Sequence, residues 1–194
     1  DNAQTLGALR HALARLDDTL IYLWGAPGSG LSHLLQASVH ELQGQGLTVI
    51  YLPMADCLEY GLQALEGLDD MDVVALDGID LIAGQPEWQE AVFHLFNRLR
   101  DSGKLLLVTS HASPLQQSIE LPDLRSRLSW GLTFQVQPLS DEQKLDWLVW
   151  KARRRGLTLE EDVAAFLINR VARSMATLVE AFEQLDERSL AEQR

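Results

Sequence analysis

The chain has 194 residues, 46% of them hydrophobic and 23% charged, and it carries a formal net charge of −12. This composition excludes a disordered chain, and no apolar run approaches the ~18 residues of a membrane-spanning helix, so we expect no membrane association. The strong acidity argues against a nucleic-acid-binding surface, so no direct DNA binding is expected. The single cysteine, Cys57, cannot form an internal disulfide, which is typical of a cytoplasmic protein.

The first two thirds of the chain alternate predicted helices with predicted strands. Helical patterns cover residues 5–16, 32–43, 58–68 and 87–100, with a further short helix at 123–128, and buried strands cover residues 19–24, 48–52, 73–76, 105–109 and 132–136. Alternation of this kind predicts an α/β fold, with a parallel five-stranded sheet and helices on both faces.

The pattern becomes entirely helical after Pro138. Three helices are predicted over residues 140–155, 160–170 and 177–193. Ser140 followed by Gln143 predicts a capping box at the start of the first of these helices. We therefore predict two domains, an α/β domain over residues 1–138 and a small helical domain over residues 139–194.

A candidate phosphate loop follows the first predicted strand and opens a predicted helix. It keeps the frame G-x-x-x-x-G-K-[ST] at all but one position and reads Gly25-Ala26-Pro27-Gly28-Ser29-Gly30-Leu31-Ser32. Glycines allow backbone N–H groups to converge on a phosphate, and the N-terminus of a helix favours an anion. The alternative is a glycine-rich turn from strand to helix that binds no ligand.

The lysine of this frame is replaced by Leu31, and no lysine or arginine lies between Arg15 and Arg98. A charge-assisted contact to the outer phosphates, worth about 1.5–3 kcal/mol, is therefore missing. Ser32 keeps the position of an Mg²⁺ ligand. The loop predicts binding of ADP or another nucleoside diphosphate, with Mg²⁺ held only when nucleotide is bound, and it argues against tight binding of ATP.

The third predicted strand ends in a candidate Mg²⁺-binding carboxylate. It reads Val73-Val74-Ala75-Leu76-Asp77-Gly78, and Asp77 at its end should lie beside the phosphate loop and hold Mg²⁺ through water. ATPases of this type usually carry a second acid next, which orients the attacking water, but here that residue is Gly78. Asp80 follows closely in sequence, and we expect its side chain to point elsewhere. The alternative for Asp77 is a carboxylate that caps a helix or lies in a loop.

Together with several further segments, these motifs resemble a known family. The segments are Asp77-Gly78-Ile79-Asp80-Leu81-Ile82-Ala83-Gly84, Leu121-Pro122-Asp123-Leu124-Arg125-Ser126-Arg127-Leu128-Ser129-Trp130-Gly131, Gln137-Pro138-Leu139-Ser140-Asp141-Glu142 and Gln184-Leu185-Asp186. Over essentially its whole length the chain resembles the AAA+ module of the DnaA family of bacterial replication initiators, and within that family the Hda group of DnaA regulatory inactivators. The resemblance implies an AAA+ P-loop αβα sheet with a C-terminal helical lid, which makes residues 1–138 the nucleotide-binding domain and residues 139–194 the lid.

The resemblance also implies roles for single residues. Arg127 matches the arginine finger, Asp77 the Mg²⁺ position, and residues 109–111 the first sensor, where His111 replaces a residue that is usually acidic. Ala176 matches the second sensor, which is usually arginine. Three elements that act on the chain's own nucleotide are thus missing, namely the lysine, the second acid and the sensor arginine, whereas Arg127, which acts on a neighbour, remains. The alternative for Arg127 is a side chain that caps a helix or pairs with Asp123.

The function implied by the resemblance is regulation of replication initiation. A chain of this kind stimulates ATP hydrolysis by the initiator DnaA on the DNA-loaded sliding clamp, and it has no efficient ATPase activity of its own. The family's clamp-binding peptide and adenine-recognition stretch belong ahead of Asp1, and DnaA carries a DNA-binding domain after the lid. None of the three is in this sequence, which strengthens the expectation of no direct DNA binding. Two alternatives are a slow ATPase of the helicase-loader type, in which Asp80 or a partner replaces the lost acid, and a scaffold that binds no nucleotide. A homo-oligomer stays open.

Overall fold

The computed structural model describes residues 2–157, 159–170 and 175–192, and the chain divides into two compact units, Asp1–Gln137 and Pro138–Arg194. The first unit contains the sheet, and the regular elements of the second, within the residues described, are all helices. None of the described helices is both long and apolar enough to cross a bilayer.

A parallel five-stranded sheet forms the centre of the first unit. Its strands are β1 (Leu20–Trp24), β2 (Val49–Pro53), β3 (Val73–Asp77), β4 (Leu105–Ser110) and β5 (Leu132–Gln135). Their order across the sheet is β2-β3-β4-β1-β5, and every neighbouring pair is parallel. Strand β4 is buried at every residue, because helices cover both faces of a parallel sheet. The predicted five-stranded parallel sheet is confirmed.

Two helical layers enclose this sheet. The helices of the first unit are α1 (Asn2–Arg15), α2 (Leu31–Gly44), α3 (Met54–Tyr60), α4 (Pro86–Asp101) and α5 (Pro122–Leu128). One core cluster joins α1 and α2 to one face of the sheet, and includes Leu13 and Leu35. The other joins α3, α4 and α5 to the opposite face, and includes Phe96 and Leu124. The αβα layering predicted from the alternation is therefore confirmed.

The predicted helical segment at residues 58–68 is wrong in detail. The chain forms only the end of α3 there, followed by 3₁₀ turns at Leu62–Leu65 and Leu68–Asp70, with a third 3₁₀ turn later at Ile79–Ile82. Gly61 and Gly67 adopt positive φ angles of 94° and 68°, which interrupt a right-handed helix. Leu65 and Leu68 are buried, whereas Tyr60 and Leu62 are exposed, so the hydrophobic pattern predicted part of the burial and overestimated the helix length.

The second unit consists of three helices around a small core. They are α6 (Asp141–Arg154), α7 (Glu161–Arg170) and α8 (Met175–Glu192), and residue 193 of the third predicted helix lies outside the described residues. Leu148, Leu178 and Phe182 are central to the core. The capping box is present, because the Gln143 amide donates to the Ser140 hydroxyl at 3.2 Å and the Ser140 amide donates to the Gln143 side chain at 3.0 Å.

Candidate functional site

The candidate site lies where three parallel strands end side by side. The phosphate loop follows β1, Asp77 is the last residue of β3, and Ser110 is the last residue of β4. The Gly25 amide, which opens the loop, donates to the Ser110 carbonyl at 3.2 Å. Ligands of open α/β sheets bind outside these carboxyl ends, so the topology places the candidate phosphate site correctly for the fold.

Three glycines of the phosphate loop are required by its geometry. Gly28 and Gly30 have φ angles of 81° and 88°, in the left-handed region that other residues rarely adopt. A Cβ at Gly25 would lie 2.2 Å from the Val136 carbonyl oxygen, so any side chain there would displace β5 or the loop. The backbone conformation of the loop therefore depends on glycine at these three positions.

The loop fits a phosphate group through its backbone. The amides of Gly30, Leu31 and Ser32 donate to no acceptor within the described part of the chain, as is usual in the first turn of a helix. The Ser29 hydroxyl is buried and also has no hydrogen-bond partner. Converging amides at a helix N-terminus form an anion-binding site. The Leu31 side chain is buried in the α2 core cluster, so the loop itself offers no cation to that anion.

The Asp77 carboxylate is held by two hydroxyl groups. Thr109 donates to one oxygen at 2.5 Å and Tyr51 donates to the other at 2.6 Å. The Thr109 hydroxyl in turn accepts from the Gly78 amide at 2.8 Å. Burial, and then the bond to Asp77, raise the pKa of the Tyr51 hydroxyl to about 12. Each carboxylate oxygen has two lone pairs, so Asp77 keeps acceptor sites for an Mg²⁺-bound water.

Sequence analysis did not identify Tyr51. The residue lies on β2, paired with Ala75, and Asp77 is two residues further along β3 on the same face of the sheet. The available signal was a hydroxyl in an otherwise apolar strand, which the hydrophobic pattern counts as a core residue.

A cavity of about 220 Å³ brings most of the candidate residues together. It is lined by Leu31, Ser32, Pro53, Ala55, Asp77, Gly78, Asp80, Leu81, Thr109, Ser110 and His111. Both candidate Mg²⁺ residues, Ser32 and Asp77, thus lie on one cavity. Ala176 belongs to α8 of the second unit, and its side chain lies outside the described residues.

The expectation that Asp80 points elsewhere is wrong. Gly78 has a φ angle of 85°, so the chain leaves the extended conformation of β3 and enters a 3₁₀ turn, where the alternation of a strand no longer applies. The Asp80 carboxylate accepts from the His111 amide at 3.2 Å and lies 3.0 Å from the His111 Nδ1. The cavity therefore contains a second carboxylate despite the glycine at residue 78.

Arg127 lies in the last turn of α5, which is anchored by the buried side chains of Leu124 and Leu128. Its guanidinium carbon is 4.1 Å from the ring centroid of Trp130, a cation–π contact, and Trp130 is 65% exposed. Among the described residues Arg127 forms no salt bridge, including with Asp123, so the pairing considered above is not present. Arg127 is half-buried, and its guanidinium contacts the exposed ring of Trp130.

The Arg127–Trp130 pair and the phosphate loop lie at opposite ends of β1. Gly131, next to Trp130, packs so closely on Leu20 that a Cβ there would be 2.5 Å from the Leu20 carbonyl oxygen. Leu20 is the first residue of β1, whereas Gly25 follows the last. At about 3.3 Å per residue, roughly 16 Å of strand separates these two points.

Two families of known domains match the chain. Residues 10–135, more than half of it, match the bacterial DnaA ATPase domain. Residues 141–194 match the domain described as Hda, lid domain. The first match covers the sheet, the phosphate loop and Arg127, and the second covers the three helices that follow.

Solved structures with a similar fold share little sequence with the chain. Domain III of the Thermotoga maritima replication initiation protein DnaA is 22% identical with a TM-score of 0.81, over 100% of this chain and 85% of that one. AMPPCP-bound DnaA from Aquifex aeolicus is 23% identical with a TM-score of 0.76, over 92% and 58%. The Thermotoga maritima RuvB Holliday junction branch migration motor is 16% identical with a TM-score of 0.71, over 99% and 62%.

The chain therefore spans only part of many matched proteins. It spans 60% of a DNA replication initiation factor and 65% of a DnaA bound to AMPPCP and single-stranded DNA. At identities of this size the likeness shows the fold, a P-loop αβα sheet with a helical region after it.

Proposed function

Because the chain belongs to the family of bacterial DnaA ATPase domains, we propose that it is a regulator of replication initiation that stimulates ATP hydrolysis by the initiator DnaA. In this proposal Arg127 acts as an arginine finger on the nucleotide of DnaA, with the DNA-loaded sliding clamp as the platform. The match of residues 141–194 to the Hda lid domain supports this role over that of an initiator. The fold is the AAA+ αβα unit followed by a helical lid.

The observation that carries the proposal is the position of Arg127. Roughly 16 Å of strand separates Leu20, which contacts Gly131, from the chain's own phosphate loop, which argues against a contact between the Arg127 guanidinium and a nucleotide bound there. The guanidinium lies on the surface, stacked on Trp130 and free of any salt bridge within the described residues. An arginine in this position is suited to contact a nucleotide that is bound to another chain.

The chemistry of such a contact is electrostatic. Negative charge on the transferred phosphoryl group is spread over its oxygens in the transition state, and a guanidinium aimed at it can accelerate hydrolysis by about 10³–10⁵-fold. The stack on Trp130 restricts the rotamers of Arg127 before the partner binds, which reduces the entropy lost on docking. A lysine has no planar fork and stacks less well, so it should replace Arg127 poorly.

The chain's own nucleotide site is proposed to hold ADP or a similar diphosphate, with Mg²⁺ near Ser32 and Asp77. The backbone of the phosphate loop and the AMPPCP bound to DnaA of the same fold support nucleotide binding. The loss of the loop lysine at Leu31 supports a diphosphate over a triphosphate. Leu31, Gly78 and Ala176 remove three groups that hydrolysis in this site would use. Intrinsic ATP turnover is therefore proposed to be close to background.

The test is DnaA-dependent ATP hydrolysis on DNA loaded with the sliding clamp, with the parent chain in its full-length form and its Arg127→Ala variant. We expect the parent to stimulate hydrolysis and the variant to lose that stimulation at least about 100-fold, since removal of one transition-state donor costs this much. Arg125→Ala is the matched control, because Arg125 is an exposed arginine on the same short helix. Both substitutions should change stability by about 0.5 kcal/mol or less.

Two results would contradict the proposal. Stimulation by Arg127→Ala equal to that of Arg125→Ala would remove the role of the finger and favour the scaffold alternative. Full stimulation by Arg127→Lys would mean that charge alone suffices and that the stacked, planar geometry is irrelevant.

One observation favours the slow ATPase as a second candidate. The Asp80 carboxylate lies on the same cavity as Asp77 and Ser32, where it could orient a water in place of the lost acid. In this case the parent should hydrolyse ATP in the absence of DnaA, and Asp80→Asn should abolish that turnover. A parent rate equal to that of Asp80→Asn removes this candidate.

A further inference from the structure

We infer that His111 supplies the cation that the phosphate loop lacks, and that binding of a nucleoside diphosphate in the cavity of Leu31 and Ser32 is coupled to proton uptake by His111. This inference rests on the nucleotide binding given under the proposed function. It assigns the phosphate contact of the missing lysine to a residue that directly follows a different strand, β4.

The cavity brings His111 to the phosphate loop. His111 follows Ser110 directly, and the Ser110 carbonyl accepts the hydrogen bond of Gly25, the first residue of the loop. Leu31, Ser32 and His111 line the same cavity of about 220 Å³. A phosphate on the amides of the loop is therefore within one small space of the imidazole.

All residues that line this cavity are within the described part of the chain. Among them, only the side chain of His111 can carry a positive charge. The lining contains no lysine or arginine, and none occurs between residues 15 and 98. A diphosphate would otherwise meet the carboxylates of Asp77 and Asp80 with no cation from the protein.

The contact to Asp80 determines how His111 can act. A carboxylate only accepts hydrogen bonds, so the His111 Nδ1, 3.0 Å from an Asp80 oxygen, carries a hydrogen. In the neutral ring Nε2 is then an acceptor and cannot bond to a phosphate oxygen. In the imidazolium both nitrogens donate, so Nε2 can bond to phosphate while Nδ1 stays on Asp80. The phosphate contact thus requires a proton, which histidine can take up near neutral pH.

Four other titratable groups lie on this cavity or near it and could exchange protons in place of His111. Asp80 and Asp77 lie on the cavity itself, and both oxygens of Asp77 already accept from Thr109 and Tyr51. Tyr22 on β1 donates to the Ala112 carbonyl at 2.9 Å, and burial, opposed by its contact with Ser110, raises the pKa of its hydroxyl. The Tyr51 pKa is raised to about 12. Neither tyrosine ionises near neutral pH, so neither can exchange a proton at this contact when a phosphate enters.

The first test is a double-mutant cycle read by calorimetric titration with ADP. His111→Gln should weaken ADP binding about tenfold or more, the loss expected for a hydrogen bond to a charged group. Leu31→Lys restores the lysine of the loop, and in that background His111→Gln should cost less than about threefold, because coupled residues are not additive. His94→Gln, an exposed histidine on α4, is the matched control and should leave affinity unchanged.

The cycle can overturn the inference in two ways. ADP affinity of His111→Gln equal to that of His94→Gln would exclude the contact. An equal loss in the Leu31→Lys background would show that His111 does not replace the lysine. If the parent binds no ADP, both this inference and the proposed nucleotide site fail, whereas the finger is tested separately through Arg127. His111→Arg keeps a cation and should retain affinity within about threefold.

The second test measures proton uptake directly. The parent is titrated with ADP near neutral pH in two buffers of different ionisation enthalpy, Pipes and Tris. The terminal phosphate of ADP titrates near neutral pH as well, so the parent is compared with His111→Gln. We expect the buffer dependence of the parent to indicate the uptake of more protons than that of His111→Gln. The same buffer dependence in both proteins would overturn the inference, even where ADP binds tightly.

Discussion

The Tyr51 hydroxyl connects the edge strand of the sheet to the candidate Mg²⁺ residue. It donates to Asp77 at 2.6 Å and accepts from the Gln36 amide at 3.2 Å, so one tyrosine joins β2, β3 and α2. Tyr51 thus fixes the rotamer of Asp77 from the side opposite Thr109.

Tyr51→Phe should reveal this bond through its pH dependence. At neutral pH the variant should lose about 1 kcal/mol of stability, the usual worth of one hydrogen bond. The unfolded tyrosine ionises near pH 10, whereas the folded one keeps its proton to about pH 12, so the parent loses stability as pH rises through this window. Urea unfolding at pH 7 and near pH 11 measures the difference. The gap between parent and variant should shrink at the higher pH, and a constant gap would contradict the assignment.

At the same scale, sequence reasoning placed the phosphate loop and Asp77 but missed Tyr51 and misplaced Asp80. The loop could be predicted because its glycines, such as Gly28 and Gly30, are needed locally by positive φ angles. Asp80 could not, because its direction depends on the left-handed turn at Gly78, which breaks the alternation of the strand. The partner of Tyr51 depends on which strands are neighbours, and that is not a local property.

The pairing of β5 with β1 depends on the glycine that precedes β5. A Cβ at Gly131 would lie 2.5 Å from the Leu20 carbonyl oxygen and 2.6 Å from the Leu20 Cγ, both closer than van der Waals contact allows. Backbone atoms cannot move aside as a flexible side chain would. The tryptophan–glycine pair at the start of this edge strand thus combines a surface ring for Arg127 with a close approach of two backbones.

Gly131→Ala should therefore destabilise the first unit by about 2 kcal/mol, within the 1–3 kcal/mol typical of overpacking. Gly7→Ala is the matched control, since Gly7 lies in α1 and its Cβ would meet nothing within 4 Å. This second change should stabilise the chain by about 0.5–1 kcal/mol, because alanine favours a helix over glycine. Urea unfolding measures both. Equal effects of the two substitutions would contradict the close packing at Leu20.

Most helices and strands could be predicted from the sequence, because the pattern of buried apolar residues determines where they form. Strand β4 and its neighbours are short apolar runs between turn residues, and the lid helix α6 carries its own capping signal at Ser140. The strand order β2-β3-β4-β1-β5 cannot be predicted from any single apolar run. It arises from long-range packing.

On the scale of the whole molecule, charge is distributed unevenly. The 28 acidic residues exceed the 16 basic ones, and residues 16–97, which include β1, β2, β3 and the phosphate loop, contain no lysine or arginine. Nucleic-acid affinity depends largely on cations that replace the counterions of the phosphates. This unit presents few of them.

We therefore expect the chain alone to bind duplex DNA with no measurable affinity at micromolar protein and physiological salt. Fluorescence anisotropy of a labelled duplex measures this, repeated at low salt to increase any electrostatic contribution. Charge repulsion predicts no binding in either condition. Binding that weakens steeply with salt would instead indicate a local basic surface that the net charge conceals.

Because Arg127 and the phosphate loop are separated along β1, the α/β unit has a finger end and a nucleotide end. A contact that joins the finger end of one chain to the nucleotide end of another uses two different surfaces, so it is heterologous and leaves one surface of each chain unused. In a row of such contacts every internal subunit must both give a finger and receive one. A chain that keeps its arginine finger but has Leu31 in its own phosphate loop can supply a finger to a neighbour, but it is a poor substrate for the finger of another subunit. Under the proposed function it would therefore end a row of initiator subunits instead of extending it.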